Sequence, residues 1–304
     1  MRTGFRLIDG DAAAGRAPAV ARHWLEAVIV VIVAQWLTWQ SVQLSTVVYQ
    51  AFFRSGSSEW GDAGPFFAGM YLLYLVVPGV LIAGLCLFLS RRVDGRSAKS
   101  LGLNVATAPL AMAWCVLGLL AAAPVLAATA SAGMSGNDLA SAVAVLTPVT
   151  LLQAGAEELL FRGVILGSLC ARYGAPRGVL ISALLFGLWH LQIGQDWFDA
   201  LVAFASTFVF GVTAAIVTLH FANLGPALAL HLVWNVAADV YWGASADSGF
   251  WASWAANFGR PWMIEDLRAG NMIQVLVLPL VIETLIVLAA CRSTARSIFG
   301  LKDL

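Results

Sequence analysis

Three stretches of this sequence hold residue types that can activate water inside otherwise apolar surroundings. In Gln153-Ala-Gly-Ala-Glu157-Glu158-Leu-Leu-Phe-Arg162, two adjacent carboxylates and a guanidinium sit between the apolar runs Leu139–Leu152 and Val164–Cys170. Phe186-Gly-Leu-Trp-His190 adds a histidine one turn after an aromatic, and His231-Leu-Val-Trp-Asn235 adds a histidine and an amide. Keeping an ionisable group near a bilayer centre costs at least ~2.5–3.5 kcal/mol, so such groups mark functional sites by default. On a helix, Glu158 and Arg162 are i,i+4 with the acid first, which is the favourable order. Glu157 points roughly 100° away from that pair and has no such built-in partner. His231 and Asn235 share one helix face. A carboxylate, two imidazoles and a carboxamide can hold and activate water. The Glu is the base, one His fixes or shares the proton, and the other His with Asn stabilises an oxyanion.

The elements that must position these groups are membrane spans. Of 304 residues, 60% are hydrophobic and 11% charged, with mean hydropathy +0.83. A soluble globular chain carries about 25% charged residues, so the composition is that of a polytopic membrane protein. No basic stripe suggests nucleic acid. Cys86, Cys115, Cys170 and Cys291 form no CxxC pair, which supports neither a disulfide framework nor a cysteine metal site.

Eight spans are expected, in an all-α transmembrane bundle with a polar pocket between helices. They run roughly Trp24–Val47, Pro65–Leu89, Ala106–Ala130, Leu139–Ala171, Val179–Ile193, Leu201–Phe221, Ala227–Trp242 and Met272–Ala290. The fourth exceeds the ~20 residues a bilayer needs. Residues 1–22 read as a cytoplasmic tail, 23–138 as N-terminal helices, 139–242 as the core that carries the three polar stretches, and 243–304 as an outer loop, last helix and inner tail. With a cytoplasmic N-terminus, the inner segments hold thirteen Lys and Arg residues and the outer ones three, Arg54, Arg260 and Arg268. The positive-inside rule therefore places both termini in the cytoplasm.

At 1.5 Å rise per residue, Glu157, His190, His231 and Asn235 fall roughly 7–21 Å below the inner face of a ~30 Å core. They can meet in one pocket, and the chemistry expected there is hydrolysis of a peptide bond within or beside the membrane. Glu283 in the last span and Asp239 beyond Asn235 have no assigned role. His220 and His23 lie at span ends and read as interfacial, and most of the twelve tryptophans read as belt residues.

EELLFR (Glu157–Arg162), FGLWH (Phe186–His190) and HLVWN (His231–Asn235), in that order on successive spans, resemble the CAAX-processing and bacteriocin-processing (CPBP, or Abi) intramembrane endopeptidases. These are relatives of the type II CAAX proteases. Their pattern of EExxxR, FxxxH and HxxxN is matched without substitution, over roughly residues 139–242. The resemblance implies that Glu157 is the general base, working with His190. It assigns His231 and Asn235 to the oxyanion side, and a structural or positioning role to the Glu158–Arg162 pair. It implies a glutamate-type enzyme without a required metal, although Glu157, His190 and His231 could also complete a zinc site. The expected substrate is a membrane-associated protein or peptide: prenylated CAAX tails in eukaryotic members, leader or membrane peptides in bacterial ones. Short loops and Ala/Gly/Leu-rich spans favour the bacterial cytoplasmic membrane. Two other classes compete, an ion-coupled transporter, since buried Glu and His also mark ion paths, and a non-catalytic immunity or scaffold protein.

Overall fold

The computed structural model describes residues 29, 31–34, 36, 40, 64–92, 97–103, 108–131, 134–191, 197–243 and 276–300. Most of the first expected span, the polar stretch from Arg54 to Asp62 and the loop after Gly243 lie outside the described residues. Within them every regular element is helical. In chain order these are α1 (Gly64–Arg92), a short 3-10 turn (Ala98–Leu101), α2 (Ala108–Ser131), α3 (Gly136–Glu158), a π-helical stretch (Leu159–Leu166), α4 (Gly167–Tyr173), α5 (Ala175–Trp189), α6 (Trp197–Phe221), α7 (Gly225–Gly243), α8 (Leu278–Ala290) and α9 (Arg292–Phe299).

Three helices among the described residues are long and apolar enough to cross a membrane: Pro109–Ser131, Gly136–Tyr173 and Ala200–Phe221. The bent pair Leu278–Ala290 and Arg292–Phe299, at 89°, passes the same test jointly. The helices have apolar outer faces, as lipid requires, with Met112, Val116 and Leu120 of α2 and Val281 and Leu285 of α8 exposed. The buried set, by contrast, includes Glu157, Glu158, Arg162, His231 and Glu283. This chain is an integral membrane protein turned polar side in at one place.

The central element is the 38-residue helix Gly136–Tyr173. It starts at Ser135, whose hydroxyl oxygen accepts from the Asp138 amide at 3.1 Å, an N-cap that satisfies one of the otherwise orphaned N–H groups. It then runs unbroken through Pro148 and the acidic pair. Past Glu158 its winding loosens to π-helix for eight residues. Widening a turn disturbs the carbonyl ladder, and here Ser182 of α5 donates its hydroxyl to the Phe161 carbonyl at 3.1 Å. A π-turn inside an α-helix is uncommon and often accompanies a functional site.

Around it, α4 doubles back into α5 through Gly174 (φ +79). At Gly178 a Cβ would come within 2.8 Å of the Cys170 backbone nitrogen, so only glycine lets these two helices touch. The turn between α6 and α7 is held by the Asn223 side-chain oxygen accepting from the Gly225 amide, and by the Leu224 amide bonding to the Gly102 carbonyl at 3.1 Å. After α8 the chain turns by 89° into α9, where Thr294 pairs with His220 at 2.8 Å. The fifth helix has the length of the expected span but lies four residues earlier: α5 has 15 residues and stops at Trp189, with His190 as its C-cap (φ −93, ψ −1). At 1.5 Å per residue it is ~22 Å long, short of a full crossing.

Candidate active site

α3 and α7 run antiparallel along the site, because Asn235 meets Gln153 while His231, one turn earlier, meets Glu158 and Glu157. The i,i+4 spacing on each helix makes this ladder possible, since both rungs then fall on the facing sides. α5 brings His190 to the same place from its C-terminal end.

The Glu158 side is paired through one oxygen, while its Oε2 makes no hydrogen bond among the described residues. Its Oε1 accepts from Nδ1–H of His231 at 2.9 Å and pairs with Nη1 of Arg162 at 3.0 Å. Arg162 is 2% exposed. Its guanidinium carbon lies 4.2 Å above the Phe186 ring centre and 5.5 Å from that of Phe210, so a buried cation is held between aromatic faces. Its N–H groups meet no hydrogen-bond acceptor in good line among the described residues. The pairing is ionic and through the ring faces. Phe186 also packs against Phe161 (5.0 Å), His190 (4.6 Å) and His231 (5.9 Å), and Phe210 against His231 (5.0 Å). Two aromatics therefore floor the site.

The Glu157 side is open. Its Oε1 accepts a short hydrogen bond from the Gln153 amide. Its Oε2 makes no hydrogen bond among the described residues. That oxygen faces Nε2 of His190 at 4.0 Å and Nε2 of His231 at 3.8 Å, too far for direct bonds. Both imidazoles are fixed from behind. Nδ1–H of His190 donates to the Phe186 carbonyl at 2.8 Å, and that of His231 to Glu158. Each Nε2 is thereby left to point at the shared gap.

Ligands on a tetrahedral zinc with ~2.0–2.1 Å bonds lie ~3.3–3.4 Å apart, closer than either Nε2 is to Glu157 Oε2. Among the described residues no group of three or more His, Cys, Asp or Glu side chains is arranged to hold a metal ion. As placed, the side chains do not fit a zinc site.

All six residues expected at the site, Glu157, Glu158, Arg162, His190, His231 and Asn235, come together. Asn235 does so through Gln153, to whose side-chain oxygen it donates at 3.2 Å. Gln153 stood in the quoted polar stretch, one turn before Glu157, and that spacing was the signal for it. Phe210 had none, being one apolar residue in an apolar helix. Glu283 turns inward on α8 with Pro279 and Val287, and its Oε1 has no hydrogen-bond partner among the described residues. Asp239 is half-buried two turns past His231.

Residues 139–237, about a third of the chain, match the family described as type II CAAX prenyl endopeptidase Rce1-like. No curated protein and no solved structure matches the chain. The matched segment contains every polar side chain that lines the gap and the two aromatics beneath it. Over residues 139–237 the chain is similar to the Rce1-like type II CAAX prenyl endopeptidases, in keeping with the resemblance its three motifs carry.

Proposed function

We propose that this protein is a glutamate-type intramembrane endopeptidase acting on a membrane-associated protein or peptide. The observation that carries the reading is the gap bounded by Glu157 Oε2 and two imidazole Nε2 atoms at 3.8 and 4.0 Å. Separations of 3.8 and 4.0 Å let a water bridge Oε2 and either Nε2 by hydrogen bonds, the reach a general base requires. Glu157 takes the proton as the water oxygen attacks the scissile carbonyl carbon, and His190 holds and shares that proton. The carbonyl π electrons move to oxygen, and His231 with Asn235 forms the side that stabilises the resulting oxyanion. The proton then passes to the amide nitrogen as the C–N bond breaks. Glu158 orients His231 from behind and Arg162 neutralises Glu158.

This step uses no metal. The reading extends to eight spans, a polar pocket closed by them, and both termini on the cytoplasmic side of a bacterial membrane. The family match favours substrates with prenylated CAAX tails, while the short loops favour unprenylated leader or membrane peptides. Glu283, a buried acid outside the matched segment, is the one feature that an ion-coupled transporter would explain better.

The test compares termini of membrane proteins in host cells carrying wild-type or Glu157→Gln protein at equal expression. New termini in the wild type that vanish in the variant, and likewise in His190→Ala and His231→Ala, are expected. A His variant that cleaves at the wild-type rate removes that residue from the mechanism. Identical termini in wild type and Glu157→Gln reject the protease and leave the transporter or scaffold.

A further inference from the structure

We infer that Gln153 is a positioning residue for the reaction, coupling Asn235 of α7 to the base Glu157. The inference rests on the endopeptidase reading and deepens it. The argument is one of hydrogen-bond polarity. An ionised carboxylate only accepts, so the group against Glu157 Oε1 has to be a donor. Gln153 meets that need with its side-chain N–H. Its carbonyl oxygen then points the other way and needs a donor in turn, which Asn235 supplies from Nδ2 at 3.2 Å. Every group in the chain Asn235 to Gln153 to Glu157 is oriented by the next, and the direction is set by the charge at its end.

The consequence is geometric. Glu157 is buried, its Oε1 is held by Gln153, and its carboxylate plane is therefore fixed with Oε2 facing the two Nε2 atoms. Without the Gln153 bond, Glu157 would be free to rotate toward Nε2 of either histidine and close the gap. One N–H of Asn235 is committed to this chain, so part of its contribution reaches the base from behind rather than the substrate. Neither the EExxxR nor the HxxxN pattern includes position 153.

The experiment uses full-length protein in isolated host membranes and follows the rate at which Glu157-dependent termini appear across the pH range. Gln153→Met keeps the length and removes both polar ends. Gln153→Glu keeps the shape and replaces the donor with an acceptor. Each is expected to slow cleavage roughly 10- to 100-fold, the scale of a misplaced catalytic group. Gln153→Glu is further expected to move the acid limb of the pH profile to higher pH, since a second carboxylate beside Glu157 opposes its ionisation. A role in folding alone would lower the yield of inserted protein without moving that limb.

Asn235→Leu combined with Gln153→Met is expected to lose less than the product of the single losses, because both break one chain. A wild-type rate and profile in both Gln153 variants, or a double loss equal to that product, overturns the inference and leaves the protease intact. Absence of any Glu157-dependent terminus in the wild type removes the protease reading and this inference with it.

Discussion

Glu157 and Glu158 are neighbours in the chain, and the structure surrounds them in opposite ways. Glu158 is 0% exposed and pairs at 2.9 and 3.0 Å with His231 and Arg162, beneath which lie Phe186 and Phe210. Glu157 is 7% exposed and keeps one oxygen at 3.8 and 4.0 Å from Nε2 of His231 and of His190. The first environment stabilises a charge by enclosing it; the second leaves a charge able to react. A buried carboxylate needs compensation to exist at all, and Glu158 has it from the Arg162 guanidinium and the His231 ring nitrogen, which together form a fixed wall. Glu157 stands against that wall and is held by a neutral amide, which orients it without neutralising it. Stability and chemistry are thus divided between two consecutive residues.

This division can be broken from either side. The largest effect is expected from Glu157→Gln, which keeps shape and removes the base. Proteolysis should fall roughly 10²–10⁴-fold, the usual worth of general-base catalysis, while resistance to unfolding in detergent stays at the wild-type level. A variant that is inactive because it has unfolded would erase the contrast with Glu158.

Glu158→Leu should show the reverse, a loss of stability of about 3–5 kcal/mol from leaving Arg162 buried and unpaired. Adding Arg162→Met should recover most of that stability, read as the midpoint of a denaturation curve, without restoring cleavage, because His231 still lacks its orienting carboxylate. Recovery of activity in the double variant would show that Glu158 serves only to neutralise Arg162.

A smaller effect is expected at Phe186. Phe186→Leu removes one of the two rings facing Arg162 and should cost about 1–2 kcal/mol of stability, as a desolvated cation–π contact does. Activity should drop less than in any variant of Glu157. The smallest effect is expected from a chelator. Treatment with a strong zinc chelator should leave the rate of Glu157-dependent cleavage at the untreated level, and loss restored by zinc would reassign Glu157, His190 and His231 as ligands.

Much of this was legible before the fold. The pairing of Glu158 with Arg162 and the shared face of His231 and Asn235 are both i,i+4 relations, and helix geometry alone sets them. The length of the central helix also followed from residue types, as the long apolar run of the fourth span. His190 was less legible. It was expected inside a span, and the structure puts it on the cap of α5, where the helix stops and its imidazole swings in to bond the Phe186 carbonyl. Helix ends in apolar sequence carry weak local signals, because no Gly, Pro or Asn marks this one.

The sequence by itself determined that the chain lies in a membrane, which residues are too polar to face lipid, and which of them share a helix face. Composition and the 3.6-residue period are enough for that. Only the tertiary structure decided that Glu158 has a second partner 73 residues away, that Gln153 links Asn235 to Glu157, that Phe186 and Phe210 flank Arg162, and that the central helix widens to a π-turn beside the acids. These features depend on how helices meet side by side. Spacing along one helix fixes the direction in which a residue points, and packing fixes what it finds there.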